Sequence, residues 1–272
     1  MIKAWDRWDL DDVCRHVRLV CFDLDNTLAN SKRPMRPEMA APFSELTRRV
    51  DVAVVTGGRE SLVFSQVLDA LTVDADPTGL HLMPTLGTRY RRWDGASWRT
   101  VFSYDLDEDQ RARVFASLER RARERGLWLD EVWGERIEDR GSQITFSVLG
   151  QQAPLERKLA FDPSGALLRG LAAAVAADLP DLKVQAGGYT SVDVAALGID
   201  KAFAVRRLSE LTGVALGDMM FVGDRMEPGG NDYPAAMAGT MGFRVSSPAD
   251  TLRLLEGLLE RLPVRLRPAL GA

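Results

Sequence analysis

Three short apolar runs in this chain each stop abruptly on a polar residue. VRLVCF (17–22) stops at Asp23, DVAVV (51–55) at Thr56-Gly57-Gly58, and MMFVG (219–223) at Asp224. Arg18 is the one charge inside the first run. Runs this short that do not alternate with polar residues fit strands covered on both faces, as in a parallel sheet. Helical periodicity over 37–49 follows the first run, and over 59–71 the second. This βαβα alternation predicts an α/β fold built on a doubly wound parallel sheet, whose ligands bind beyond the strand C-termini. The polar residues that end the runs therefore stand where ligands are expected.

The pattern changes after about residue 84. TRYRRW and SWRTVFSY flank Asp94-Gly95, a hairpin signal. A charged amphipathic helix is expected over 107–125, with a solvated outer face. SQITFSVL (142–149) alternates like a half-buried strand, 164–178 reads as an Ala/Leu-rich helix, and KVQAGGYTSVDVAA (183–196) as a strand pair or a bent strand. The first pattern resumes with a helix over 200–212, strands at 219–223 and 239–245, and a closing helix at 249–262. These changes predict a core of residues 1–84 and 188–272, with an α+β cap inserted at 85–187. The tail PVRLRPALGA (263–272) is expected to fray.

Composition narrows the chemistry. The 272 residues are 46% hydrophobic with a net charge of −4, enough chain for one large domain or two smaller ones. That charge excludes a globally basic nucleic-acid binder, so no nucleic-acid partner is expected. Cys14 and Cys21 make no disulfide framework and, with His16 and His81 the only histidines, no zinc cluster. Any chemistry must rest mostly on carboxylates, Lys and Arg. No apolar run approaches the roughly 20 residues of a membrane span, and the first 16 residues are too charged for a signal peptide. No membrane partner and a cytoplasmic location are the expectation, with the oligomeric state open.

In a doubly wound sheet the three run ends can converge, gathering Asp23, Asp25 and Asp224. Three carboxylates together are costly without a cation, and an oxygen-only ligand set points to a hard one, Mg²⁺. A lone D-x-D-x-T arises by chance in a few per cent of chains of this length, roughly, and then merely caps a helix. The same motif followed in order by the other two, each on a strand end, is much harder to obtain by chance. Taken singly, Lys201 reads as a solvated helix residue, Gly229-Gly230 as a loop, Cys21 as core and His81 as surface.

DLDNTLA (23–29), VVTGG (54–58), Lys201 and FVGDRMEPGGNDYP (221–234) together resemble the haloacid dehalogenase superfamily of phosphohydrolases and phosphomutases. GDR-x-x-PGGNDY (223–233), GGYTSVDV (187–194) and EDRGSQITFSVLG (138–150) narrow the resemblance to eukaryotic-type phosphomannomutases, over about 17–262. The resemblance implies a Rossmann-like core with a large α+β cap, and a phosphorylated small molecule as substrate. It makes Asp23 the nucleophile and Asp25 the general acid/base. Thr56 and the Gly57 N–H would hold the phosphoryl oxygens, and Lys201 would neutralise charge on the aspartyl-phosphate. Mg²⁺ would be held by Asp23, the Asp25 carbonyl and Asp224, with Asn231 and Asp232 in or just behind that shell.

On the substrate side, Arg140, Ser191 and Asp193 match cap residues that grip the distal phosphate and sugar hydroxyls in the family. Arg157 falls near a second cap arginine, and Lys32 or Arg33 on a core arginine. Gln151 departs, standing where the family has arginine, and lacks both its charge and its bidentate fork. A mutase must grip either phosphate of a bisphosphorylated intermediate, whereas a phosphatase need admit only one. The expected activity is therefore Mg²⁺-dependent hydrolysis of a phosphorylated sugar or similar metabolite. A phosphomannomutase-like mutase is the alternative, and a catalytically silent binding module a third reading.

Overall fold

A computed structural model describes residues 2–265, and most of the tail expected to fray (266–272) lies outside the described residues. The chain divides into two compact units, one of Met1–Ser103 with Ile199–Ala272, the other of Tyr104–Gly198.

The first unit is built on β1 (Leu19–Phe22), β2 (Asp51–Val55), β3 (Leu80–Met83), β4 (Arg89–Trp93), β5 (Trp98–Ser103), β10 (Met219–Gly223) and β11 (Met241–Arg244). Their order in the sheet is β11-β10-β1-β2-β3-β4-β5. The first five in that order are parallel, with Leu19 in register with both Asp51 and Met219. The strands read as continuous apolar runs because both faces are buried. Val20, Phe22, Val52, Val54 and Val222 belong to one apolar cluster with residues of α2 (Pro37–Thr47) and α9 (Pro248–Arg261). Cys21, Ala53, Val55 and Phe221 belong to another with residues of α7 (Lys201–Thr212) and α8 (Tyr233–Met237). Helices α1 (Leu10–His16) and α3 (Glu60–Gln66) complete the unit.

Two sequence expectations change here. The β4–β5 hairpin extends the core sheet antiparallel from β3 rather than starting the inserted domain. Its alternation could not say which sheet it joins; Tyr90 decides it by packing into the second cluster, against Phe102. His81 is not a surface residue. It is 1% exposed on β3, its Nδ1 lies 2.8 Å from the Tyr90 hydroxyl, and the Arg92 guanidinium sits against its ring.

The inserted unit holds a four-stranded antiparallel sheet, in the order β6 (Ile137–Asp139), β7 (Gln143–Ser147), β9 (Ser191–Ala196), β8 (Leu182–Gly187). Ile144, Phe146, Val192 and Val194 are fully buried on one face. Helices α4 (Glu108–Glu124) and α6 (Ala166–Asp178) pack on the sheet and on each other, and α5 (Leu155–Phe161) precedes α6. Asp107 and Gln110 form a reciprocal capping box at the start of α4. The unit ends at Gly198, not at 187, because 191–196 is the strand that pairs with both β7 and β8. Among the described residues no single helix is long and apolar enough to cross a membrane.

Candidate functional site

At the C-terminal edge of the core sheet, Asp23 follows β1 directly, and its N–H donates to the Val222 carbonyl (2.9 Å). Lys201 opens α7, whose N-cap Asp200 accepts from the Phe203 N–H (2.9 Å). Its ammonium, fully buried, donates to Asp23 Oδ1 and to Asp232 Oδ1 (2.5 Å for the latter). Asp232, also fully buried, accepts from the Arg225 N–H through its other oxygen (2.9 Å). Gly223 makes room for it, since a Cβ there would lie 2.4 Å from Asp232 Oδ2. Asp224 is half-buried, and one carboxylate oxygen from each of Asp23, Asp224 and Asp232 lies within 4.8 Å of the others.

Three carboxylates against one ammonium leave two uncompensated negative charges. Asp23 is pushed above the usual carboxylate range by burial, with Lys201 opposing and Asp232 adding to the rise. Asp224 is raised by burial and by Asp232. Burial alone would lower Lys201, but the two carboxylates on it prevail and raise it. An all-oxygen cluster with this excess fits a hard divalent cation such as Mg²⁺.

Asp25 leaves the cluster because the backbone turns after β1; in a continued strand its i, i+2 spacing would have kept it on the same face as Asp23. Asn26 adopts a left-handed φ of 61° and its N–H donates to the Ala29 carbonyl (2.6 Å), while the Leu24 carbonyl accepts from Leu28 and Ala29. Half-buried, Asp25 accepts from the Lys32 N–H (2.7 Å). Thr56 directly follows β2, which pairs with β1, and is nearly fully buried, its hydroxyl accepting from the Gly58 N–H (3.0 Å), with Gly57 between them. Asn231, next to Asp232, is exposed, as are Lys32 and Arg33.

The predicted cap residues lie in the inserted unit. Ser191 and Asp193 share one sheet face with Ser147 and Thr145, their register partners, and Thr145 Oγ1 donates to Asp193 (2.7 Å). Arg140 donates to Glu138 Oε2 through Nη2 (2.7 Å) and Nε (3.0 Å). Gln151 uses its amide to reach the Thr145 carbonyl (3.2 Å), and Arg157 is exposed on α5. Sequence reasoning missed Glu138 and Thr145. Glu138 stands two residues from Arg140 along an extended segment, a spacing that puts both side chains on one face and was available as a signal.

Comparison with known proteins shows the family and the fold. Phosphomannomutase 1 of Homo sapiens is 28% identical over 247 residues, covering 88% of this chain and 91% of the relative. The phosphomannomutase of Saccharomyces cerevisiae is 26% identical over 250 residues, covering 88% and 93%. Among solved structures, a trehalose-6-phosphate phosphatase from Aspergillus fumigatus superposes with a TM-score of 0.61 at 15% identity, covering 96% of this chain and all of the other. A truncated IMP-nucleotidase from Plasmodium falciparum gives 0.67 at 16% identity, covering 93% and 73%. These two likenesses concern the fold. Residues 104–261, more than half of the sequence, match the family Eukaryotic phosphomannomutase, and the chain belongs to that family.

Proposed function

We propose that this protein is a Mg²⁺-dependent phosphohydrolase that releases phosphate from a phosphorylated sugar through an aspartyl-phosphate on Asp23. The observation that carries the chemistry is the buried Asp23–Lys201–Asp232 array with Asp224 beside it, a nucleophile held next to a fixed cation at the edge of a parallel sheet. Asp23 attacks phosphorus in line, and the departing sugar oxygen takes a proton from Asp25. Asp25 then accepts a proton from water, which attacks the aspartyl-phosphate and returns Asp23. Lys201 balances the charge on the Asp23 oxygens in both steps, while Thr56 and the Gly57 N–H hold phosphoryl oxygens. Asp23, Asp224 and the Asp25 carbonyl would hold Mg²⁺, with Asp232 and Asn231 behind them. The metal supplies neutralisation of the phosphoryl charge.

Water as acceptor is supported by the inserted unit. A mutase needs charged donors for the second phosphate of its intermediate. Here Arg140 is engaged by Glu138, and the position of the other clamp arginine is a neutral Gln151 bound to backbone. Replacing a charge-assisted bond by a neutral one weakens phosphate binding by about 1.5–3 kcal/mol. Family membership favours a second reading, a sugar phosphomutase. Incubation with mannose 1-phosphate and Mg²⁺ separates the two. Free mannose and inorganic phosphate are the expected products; mannose 6-phosphate formed under stimulation by a sugar bisphosphate establishes the mutase instead.

A further inference from the structure

Thr85, Leu86 and Gly87, between β3 and β4, have consecutive left-handed φ values of 49°, 57° and 80°. For a β-branched threonine and a leucine this backbone costs on the order of 1–2 kcal/mol each, and it persists only where the surroundings over-determine it. Those surroundings are the candidate phosphate loop on one side and the lysine helix on the other. The Leu86 N–H donates to the Thr56 carbonyl (2.8 Å) and the Thr85 N–H to the Gly58 carbonyl (2.9 Å). Gly87 lies against α7, where a Cβ would fall 2.6 Å from Ala204 Cβ and 2.8 Å from its Cα. Thr88 Oγ1 braces the turn at 2.8 Å from the Thr85 carbonyl and 2.7 Å from its hydroxyl.

A trans peptide fixes its C=O and N–H in opposite directions. Anchoring the Thr56 carbonyl on Leu86 therefore aims the Gly57 N–H away from the turn. The contact of Gly87 with Ala204, one helical turn after Lys201, sets how near the lysine helix comes to that loop.

We propose that the left-handed turn 85–88 is a positioning element, in which Leu86 orients the Gly57 N–H as a phosphoryl donor and Gly87 fixes the spacing between the phosphate loop and Lys201. The proposal rests on the reading that this loop and Lys201 act on the transferred phosphoryl group. A donor of this kind is used more fully in the transition state than in the ground state, so misplacing it lowers kcat more than it raises KM.

The test uses Gly87→Ala, the double variant Gly87→Ala/Ala204→Gly, and the nearly isosteric Thr88→Val. Phosphate release from a sugar monophosphate is measured with Mg²⁺, alongside amide hydrogen exchange at residues 85–88. Gly87→Ala is expected to lower kcat about 30-fold with KM within about threefold, and Ala204→Gly to restore only a part of that loss, since the contact with the residue 204 Cα and the left-handed φ remain. Thr88→Val is expected to lower kcat about tenfold and to speed exchange of the Thr85 and Leu86 amides. If Gly87→Ala does not fold, Thr88→Val decides alone. A kcat within threefold of wild type in the folded variants, or losses in Gly87→Ala and Thr88→Val that fall on KM rather than kcat, overturn the proposal. Absence of turnover in the wild type defeats the hydrolase reading instead. The turn is then judged by exchange, and Thr85 and Leu86 amides that are unprotected or insensitive to Thr88→Val refute it.

Discussion

The two units treat charge in opposite ways. In the core, Asp23, Asp224 and Asp232 gather around one buried ammonium, and the balance is left negative. In the inserted unit the acidic groups beside the predicted cap residues already have partners, Glu138 with Arg140 and Asp193 with Thr145. Burying uncompensated charge is expensive, so an arrangement like the core's fits a ligand that would complete it. The self-satisfied face needs no such ligand to be stable. It can exchange its internal hydrogen bonds for those of a polyol at little net cost, which suits selection rather than chemistry. The contrast predicts that core substitutions change whether reaction occurs, and that substitutions in the inserted unit change on what.

The sharpest attempt to break that division is Asp23→Asn. The amide keeps the shape and can still accept from Lys201, but it is a poor nucleophile, so turnover on every phosphate ester should fall below about 1% of wild type with the fold intact. Retained turnover would remove Asp23 from the role assigned to it.

Metal removal tests the negative balance directly. EDTA should abolish activity and Mg²⁺ restore it, with Ca²⁺ a poor substitute because it takes more ligands at longer distances. Binding should also raise the melting temperature of the core, as any ligand of the native state does, and Asp224→Asn should largely abolish that rise. Equal stabilisation of wild type and Asp224→Asn by Mg²⁺ would place the cation elsewhere.

A smaller, selective effect is expected from Arg140→Ala. It should reduce kcat/KM for the sugar phosphate by roughly 10–100-fold, equivalent to about 1.5–3 kcal/mol. Hydrolysis of p-nitrophenyl phosphate, which has no distal hydroxyls to hold, should barely change. Equal losses on both substrates would mean that Arg140 supports structure rather than selection. Glu138→Gln sharpens the point. By releasing the guanidinium it should tighten binding of a sugar bisphosphate, and no change would show that the ion pair does not limit the cap's affinity for a second phosphate.

Core and inserted unit also differed in how much their sequences disclosed. The core site was legible because each strand buried on both faces ends at a polar residue, and topology alone brings such ends to one edge. Lys201 was readable only through the resemblance, since a lysine at the start of an amphipathic helix is ordinarily solvated and nothing local says it is fully buried. The misassigned hairpin and His81 share one cause. Sheet membership and burial at β3–β5 depend on which distant strand is the neighbour, a long-range fact that local alternation does not encode. In the inserted unit, Ser191 and Asp193 were readable through the resemblance, and the pattern over 183–196 said only that they stand on extended backbone. The pairing of Arg140 with Glu138 depends on side-chain reach, which a motif match leaves open. The left-handed Thr85-Leu86 was hidden because neither residue type signals φ > 0.

The finest test concerns what holds the inserted unit together without a ligand. Asp178, at the end of α6, accepts from Arg121 Nη2 (2.6 Å) and Nε (2.9 Å), Ser117 Oγ (2.6 Å) and Arg120 Nη2 (2.8 Å), all on α4. These bonds, with Arg121 foremost, hold its carboxyl well below the usual carboxylate range. A depressed folded pKa contributes stability that is present above the unfolded value of about 3.9 and is lost as pH falls toward the folded one. Solvent reaches this group, so screening keeps the contribution small, and Asp178→Asn should cost about 1 kcal/mol at neutral pH. The cost should shrink at high salt and again below about pH 4, where the wild-type carboxylate begins to lose its advantage. Amide exchange should quicken in α4 and α6, which Asp178 joins, and stay unchanged in β1, which belongs to the other compact unit. A uniform change across both units would mean that they unfold as one, and charge closure in the inserted unit would then not be its own source of stability.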